Sequence, residues 1–354
     1  MRVAIDATPL TVSSGGISRY TSELSLALAE NFPEDECWLV SDQPFALPSP
    51  TPLNLRRGSG PRSVFERRWW LWGVQCEMRR SGAEVFHGAH FEVPVLPLRP
   101  AVMMLHDLSP WSDAGWHADA RRVRRRAPLL IGFGAATLIL TPSEAVRRQA
   151  IEKFRIHPGR IVATPLAAAP HFRPVAAGNH HQSPYFLYAG ALEARKNLDV
   201  LLAAWREVRR QYPVGLVLAG RRRPEYAHPP REEGLSVPGE VADEDLAALY
   251  SGAVACCYPS LYEGFGLPVL EAMQCGAAVI VSTDPAVRET AGGAAMQADA
   301  RDVRAWKEAM TALLARPELR AAWQERARAR AREFSWARTA RLTREAYAEA
   351  IRRF

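Results

Sequence analysis

The 354 residues are 48% hydrophobic, 23% charged and 9% aromatic, a balance that excludes a disordered tail, a collagen-like repeat or a disulfide-built mini-scaffold and, at this length, predicts two domains. The net charge of +7 is spread along the chain, 20 Lys/Arg against 16 Asp/Glu in residues 1–170 and 25 against 22 thereafter, so no basic tail marks a nucleic-acid binder. Five cysteines without a C-x-x-C pair, and no apolar run of about 18 residues, predict a reducing cytosolic setting with neither signal peptide nor transmembrane helix.

In chain order, short β-branched apolar runs alternate with amphipathic stretches, the pattern of βα units around a parallel sheet. Strands are predicted at 2–5, 37–40, 83–87, 101–105, 137–140 and 161–164, with helices at 17–31 and 143–154. Between 165 and 184 five Pro and Gly residues (Pro165, Pro170, Pro174, Gly178, Pro184) read as a linker. The rhythm then restarts: strand 185–189, helix 198–212, strand 215–219, helix 243–251, strand 253–258, helix 268–275, strand 278–282. The Arg/Ala/Glu-rich tail from Arg301 predicts two helices divided near Phe334, with Ser335 capping the last. The expected division is a first α/β domain over 1–170, a linker over 171–184, a second over 185–335 and a final helix over 336–354.

In parallel α/β sheets ligands bind just past the carboxyl ends of the strands, and four places qualify. Gly15 and Gly16 open the helix at 17–31 and suit a phosphate through their amides, with Arg19 either a contact or a solvated helix residue. Their spacing is not G-x-G-x-x-G, which argues against a nicotinamide oxidoreductase. His106 and Asp107 end the strand at 101–105, where a histidine is either structural or catalytic. Gly190, Arg195 and Lys196 end the strand at 185–189. Lysine occurs only at 153, 196 and 307, and an adjacent cation pair suits a diphosphate leaving group, against the bland reading of a solvated basic loop.

The longest string is SLYEGFGLPVLEAM at 260–273. Gly264 and Gly266 free the backbone, Pro268 suits the first helical position, and the amides near Phe265 to Leu267 offer partial positive charge to a phosphate. Glu263, before the turn, and Glu271, read as lying in the first helical turn, suit hydroxyls of a sugar and a ribose. Alternatively, Glu271 complements the helix dipole and Glu263 is solvated. No H-x-x-x-H or D-x-D arrangement follows a strand, and His180–His181 fall in the linker, so no metal site is expected. The basic runs at 121–126 and 67–72 suit either a solvated face or anionic lipid headgroups.

EGFGLPVLEAMQCGAAVI, together with YAGALEARKNLDVLL and VMMLHDLSPW, resembles the retaining group 1 glycosyltransferases, family 4, and the resemblance runs along nearly the whole chain. It implies the GT-B fold: two Rossmann-like domains facing a cleft, with a C-terminal helix crossing back to the first. It implies that Glu263 contacts the donor sugar and Glu271 the ribose, that Arg195 and Lys196 bind the donor phosphates, and that His106 lies beside the transferred sugar. Asp107 then orients His106 or holds an acceptor hydroxyl. Gly15 and Gly16 border the phosphates, and backbone near Val241 lines the base pocket. Many members carry an arginine directly after the glycine where this chain has Ala191.

The family implies retention, no cofactor and independence of metals. The N-terminal DATPLT and SGGISRYTSELSLAL segments are most like bacterial surface-polysaccharide mannosyltransferases. The expected donor is GDP-mannose, with a UDP-sugar as the alternative, and the expected acceptor a saccharide free or on polyprenyl diphosphate. A cytoplasmic enzyme is expected, with peripheral contact at the inner membrane as an open point. A GT-B epimerase or phosphorylase and a sugar-binding module without activity are the competing readings.

Overall fold

The computed structural model describes the chain except for residues 13–14, 114–115, 117–119 and 176–182; Gly178, His180 and His181 of the predicted linker lie outside the described residues. It comprises two compact units, one of Met1–Leu166 with Ser335–Phe354 and the other of Ala167–Phe334.

In the first unit, strands β1 (Arg2–Asp6), β2 (Glu36–Val40), β3 (Leu55–Arg57), β4 (Val85–Gly88), β5 (Ala101–Met104), β6 (Leu138–Thr141) and β7 (Ile161–Ala163) alternate with helices α1 (Gly16–Asn31), α2 (Val74–Ser81), α3 (Ser109–Ser112), α4 (Arg121–Gly132) and α5 (Glu144–Phe154). They form one sheet in the order β3-β2-β1-β4-β5-β6-β7, parallel throughout. Strands β4, β5 and β6 are buried at every residue. Helices cover both faces of such a sheet, which is why these runs read as continuously apolar rather than alternating.

The second unit repeats the plan. Strands β8 (Tyr185–Ala189), β9 (Gly215–Ala219), β10 (Leu235–Gly239), β11 (Ala255–Tyr258), β12 (Val279–Val281) and β13 (Met296–Gln297) intercalate α6 (Leu198–Arg209), α7 (Asp243–Gly252), α8 (Leu267–Gln274), α9 (Pro285–Ala291), α10 (Val303–Ala315) and α11 (Pro317–Ala331). The parallel order is β10-β9-β8-β11-β12-β13. Strand order reverses between β1 and β4 in one sheet and between β8 and β11 in the other, and such switch points open the crevices where ligands sit.

The last helix, α12 (Trp336–Arg353), belongs to the first unit. Its buried residues Trp336, Thr339, Ala340, Thr343, Tyr347 and Ala350 recur at helical spacing and form one stripe. Ser335 caps it by accepting from Arg338 N, Thr339 Oγ1 donates to Pro165 O at 2.5 Å, and Arg344 Nε reaches Asp35 at 2.6 Å. The tail departs from the sequence reading, which had two helices after Arg301. There are three, because Pro317 enters the first turn of α11 and separates it from α10. Strands β3, β10 and β13 also escaped that reading: β3 and β13 are short, and Pro238 interrupts the β10 pattern.

Candidate active site

At the switch point of the second sheet, β8 ends at Gly190, whose N–H donates to Ala219 O at 2.9 Å, and a tight turn over Ala194–Lys196 follows. This turn is not a solvated loop: the Arg195 and Lys196 side chains are only 14% and 11% exposed. Lys196 Nζ donates to Glu263 Oε1 at 2.5 Å and Arg195 Nη1 to Glu263 Oε2 at 3.0 Å. Ser260 Oγ completes the shell at 2.7 Å. Burial opposes the charge on Glu263, but Lys196 and Arg195, with the hydrogen bonds from Lys196 and Ser260, outweigh it and hold the carboxyl at about 2. The partner shows the opposite balance, for burial and the neighbouring Arg195 lower the Lys196 ammonium despite Glu263. The carboxyl of Glu263 thus meets a cation at each of its oxygens, an arrangement that favours the ionised pair.

The chain of charges extends further. Arg195 Nε meets Glu193 at 2.8 Å, and Arg223 Nε reaches the other oxygen of Glu193 at 3.4 Å. Arg223 arrives because residues 221–223 run parallel to Leu192, with Arg223 N donating to Leu192 O at 3.0 Å. Asn197 adopts the left-handed conformation at the start of α6 and sends its amide to Pro259 O and Ala300 O, which fastens the turn to the loop before α8.

Gly264, Phe265, Gly266 and Leu267 are buried. Gly266 caps α8 at φ 92°, a conformation that penalises any Cβ. Phe265 O accepts from Thr290 Oγ1 at 2.6 Å. Glu271 lies one residue deeper in the helix than the sequence reading placed it, just past the first turn, because α8 begins at Leu267; it is 2% exposed and accepts from Tyr250 Oη at 3.2 Å. Val241 is half-buried just before Ala242, the cap of α7. A cavity of about 390 Å³ in this unit is lined by Ser183, Tyr185, Gly215 and Gly234 at the amino ends of β8 and β9, the opposite end of the sheet.

In the first unit Gly15 caps α1 at φ 122°, which only glycine adopts readily, and Gly16 begins the helix. Arg19 sits half-buried in its first turns. His106 follows β5, and its Nε2 donates to Ala89 O at 2.8 Å. Burial lowers its pKa against the opposing pull of that bond and of Asp107. The hydrogen bonds of Asp107 go elsewhere: Oδ1 accepts from Ser109 N at 2.9 Å and Ser109 Oγ at 2.7 Å, so Ala89, not Asp107, fixes the ring of His106.

Around His106 lie residues the sequence did not single out. Tyr20 packs edge-on to it with centroids 4.9 Å apart and bonds His87 Nε2 at 3.1 Å. Burial and the adjacent His106 push His87 down to about 3 and His90 to about 4. Burial lifts Asp6, at the end of β1, to about 6 against its bonds from Thr8. Glu193 and Ser260 could have been found, since each stands within three residues of a singled-out charge. Tyr20 stands beside Arg19 and His87 ends a predicted strand, so each had a local signal too; Tyr250 and Arg223 carry none, because only the fold brings them near.

Among the described residues no group of three or more His, Cys, Asp or Glu is disposed to hold a metal, and no helix is long and apolar enough to cross a membrane.

Against known proteins, residues 14–172 match the sequence model of glycosyltransferase family 4 and residues 174–330 that of the glycosyl transferases group 1. The chain is 35% identical to O-antigen chain mannosyltransferase B of Escherichia coli over 74% of each chain. Its fold superposes on sucrose-phosphate synthase from Thermosynechococcus elongatus with a TM-score of 0.77 at 19% identity, covering 98% of both chains. It superposes on Anabaena HepE in complex with UDP-glucose with a TM-score of 0.71 at 15% identity, covering 99% of this chain and 100% of the other. Two parallel sheets with switch points, the buried pairing of Lys196 after β8 with Glu263 before α8, and this degree of identity agree: the chain belongs to the group 1, family 4 glycosyltransferases and has their GT-B fold.

Proposed function

We propose that this glycosyltransferase moves mannose from GDP-mannose to a hydroxyl of a saccharide, free or on polyprenyl diphosphate, in bacterial surface-glycan synthesis, with retention of configuration and without a metal ion. The observation that carries the reading is the ionised Lys196–Glu263–Arg195 cluster beside the amino end of α8. Lys196, Arg195 and the amides of Gly264 to Leu267 meet the diphosphate, whose negative charge grows as it leaves. Glu263 and Glu271, acceptors only when ionised, take hydroxyls of the sugar and the ribose. Gly15, Gly16 and Gly190 let backbone approach the phosphates, and Val241 borders the base.

The bond between the anomeric carbon and the diphosphate oxygen breaks while the acceptor oxygen joins that carbon from the same face, and the acceptor proton passes to the leaving phosphate. His106, neutral and fixed through Nε2, and Asp107 position the transferred sugar and the acceptor hydroxyl. The likeness to an O-antigen mannosyltransferase supports mannose; the likeness to a protein bound to UDP-glucose supports a UDP-hexose as the second reading.

A donor panel tests it. Nucleoside diphosphate release from GDP-mannose, with acceptor extract and chelator present and with greater thermal stabilisation by GDP than by UDP, is the expected result. Stabilisation by UDP alone, with turnover of a UDP-hexose, transfers the assignment to the second reading. No turnover of any nucleotide sugar overturns both.

A further inference from the structure

The even division of charge between the halves of the sequence conceals a concentration in the first unit. Residues 62–72, 92–99 and 121–133 contain nine arginines and two glutamates. These three segments therefore carry an excess equal to the chain's whole net charge of +7, and everything else balances. The fold joins them. Val95 N donates to Trp70 O at 2.9 Å, Gln75 of α2 donates to Leu96 O at 2.7 Å, and Glu92 pairs with Arg122 and Arg126 of α4 at 3.2 and 3.1 Å. The loop from β4 to β5 thus lies between the Trp-rich turn on one side and α4 on the other.

Both acids are engaged internally, Glu92 as above and Glu66 by Arg80 at 2.9 Å. Arg67, Arg68, Arg99, Arg121 and Arg125 are exposed and have no ion-pair partner among the described residues. Large apolar side chains are exposed among them: Phe133 at 82%, Val64 at 80%, Leu98 at 60%, Leu129 at 55% and Phe65 at 54%. Among the described residues the second unit exposes only Val175 and Val237 in this way. On α4 the exposed residues Arg121, Arg122, Arg125, Leu129 and Gly132 share one face, which Phe133 continues.

We propose that this face of the first unit rests on a lipid bilayer of net negative charge, with arginines at the phosphate level and Val64, Phe65, Leu98, Leu129 and Phe133 at the acyl boundary. Water penalises these apolar groups, and a purely ionic partner would leave them wet. An anionic bilayer satisfies both kinds of side chain at once. A nucleic acid fits less well, since the aromatic face of Trp72 is already stacked on Phe65 with centroids 5.2 Å apart. The assignment is independent of which donor the enzyme uses.

Sedimentation of the full chain with phosphatidylcholine vesicles, with and without phosphatidylglycerol, tests it. Association with the anionic vesicles alone, reversed by salt, is expected. Arg121→Gln with Arg125→Gln should weaken it by about 25-fold, at about fivefold per arginine, and Phe133→Ser by about tenfold. Unchanged melting temperatures would show that these exposed substitutions leave the fold intact. In Phe133→Trp the new indole should be quenched by brominated acyl chains. Equal association with neutral vesicles, none with anionic ones, an unaffected double variant, or preferential capture by RNA that strips the protein from vesicles would each overturn the proposal.

Discussion

Two clusters occupy corresponding positions, each beyond the carboxyl ends of a parallel sheet at its switch point, yet they accommodate buried polar groups in opposite ways. In the second unit Arg195, Lys196, Glu193 and Glu263 alternate in sign within bonding distance of one another. In the first, His87, His90 and His106 give up their charges: burial drives each toward the neutral form, and Tyr20 and Ala89 supply uncharged partners. Burying an ion costs more than burying a neutral dipole, so charge survives inside only where opposite charge is already in place. The paired cluster is preorganised for a charged ligand. The neutral one offers hydrogen bonds suited to hydroxyls.

The contrast is broken most directly at Lys196. Lys196→Met leaves Glu263 short of its closest partner and should cost about 3 kcal/mol in denaturant unfolding, with kcat falling by about 100- to 1000-fold. Adding Glu263→Gln should recover most of the stability and none of the activity. A single variant as stable as the parent would show that the pair is not the ion pair described.

Acid should separate the two clusters next. Unfolded histidines take protons near 6.5, while folded His87 and His90 resist down to about 3 and 4. Their contribution therefore begins to be lost as pH falls through 6.5. Asp6, raised to about 6, opposes this only from 6 toward its ordinary 3.8. Glu263 stabilises fully above its ordinary 4.5 and loses that contribution as pH falls toward 2. Asp284, lifted by burial to about 6, meanwhile supports the second unit between 6 and 3.8. Hydrogen-exchange protection should accordingly fall in β4 before β11 on acidification from pH 7, and the reverse order would contradict the contrast.

Smaller effects sharpen it. Gly266→Ala forces a Cβ into a left-handed cap and should cost about 1–2 kcal/mol, read from thermal melts, with a raised KM for donor. Tyr250→Phe removes the hydrogen bond to Glu271 and should cost about 1 kcal/mol while raising the donor KM several-fold at nearly constant kcat. A fall in kcat alone would move Glu271 from binding to chemistry.

The continuously apolar strands, the cap at Ser335 and the string from Glu263 to Glu271 are local patterns, each decided by residues within a few positions of one another. They sufficed for the α/β class, for the placement of most strands and for the family. The break at Pro317 was equally local and was passed over, because the Arg/Ala/Glu composition on either side is uniform. The weak edge strands escaped for want of an apolar run.

What the sequence determined by itself, then, is where helices and strands lie and which charged residues stand at strand ends, since periodicity and capping are set by near neighbours. Only the tertiary structure decided which of those charges are buried and against whom. Lys196 and Glu263 are 67 residues apart, Arg223 joins them through Glu193, and Tyr20 meets His87 across 67 positions of chain. Pairing across such separations depends on strand order, and burial then fixes whether each group keeps its charge.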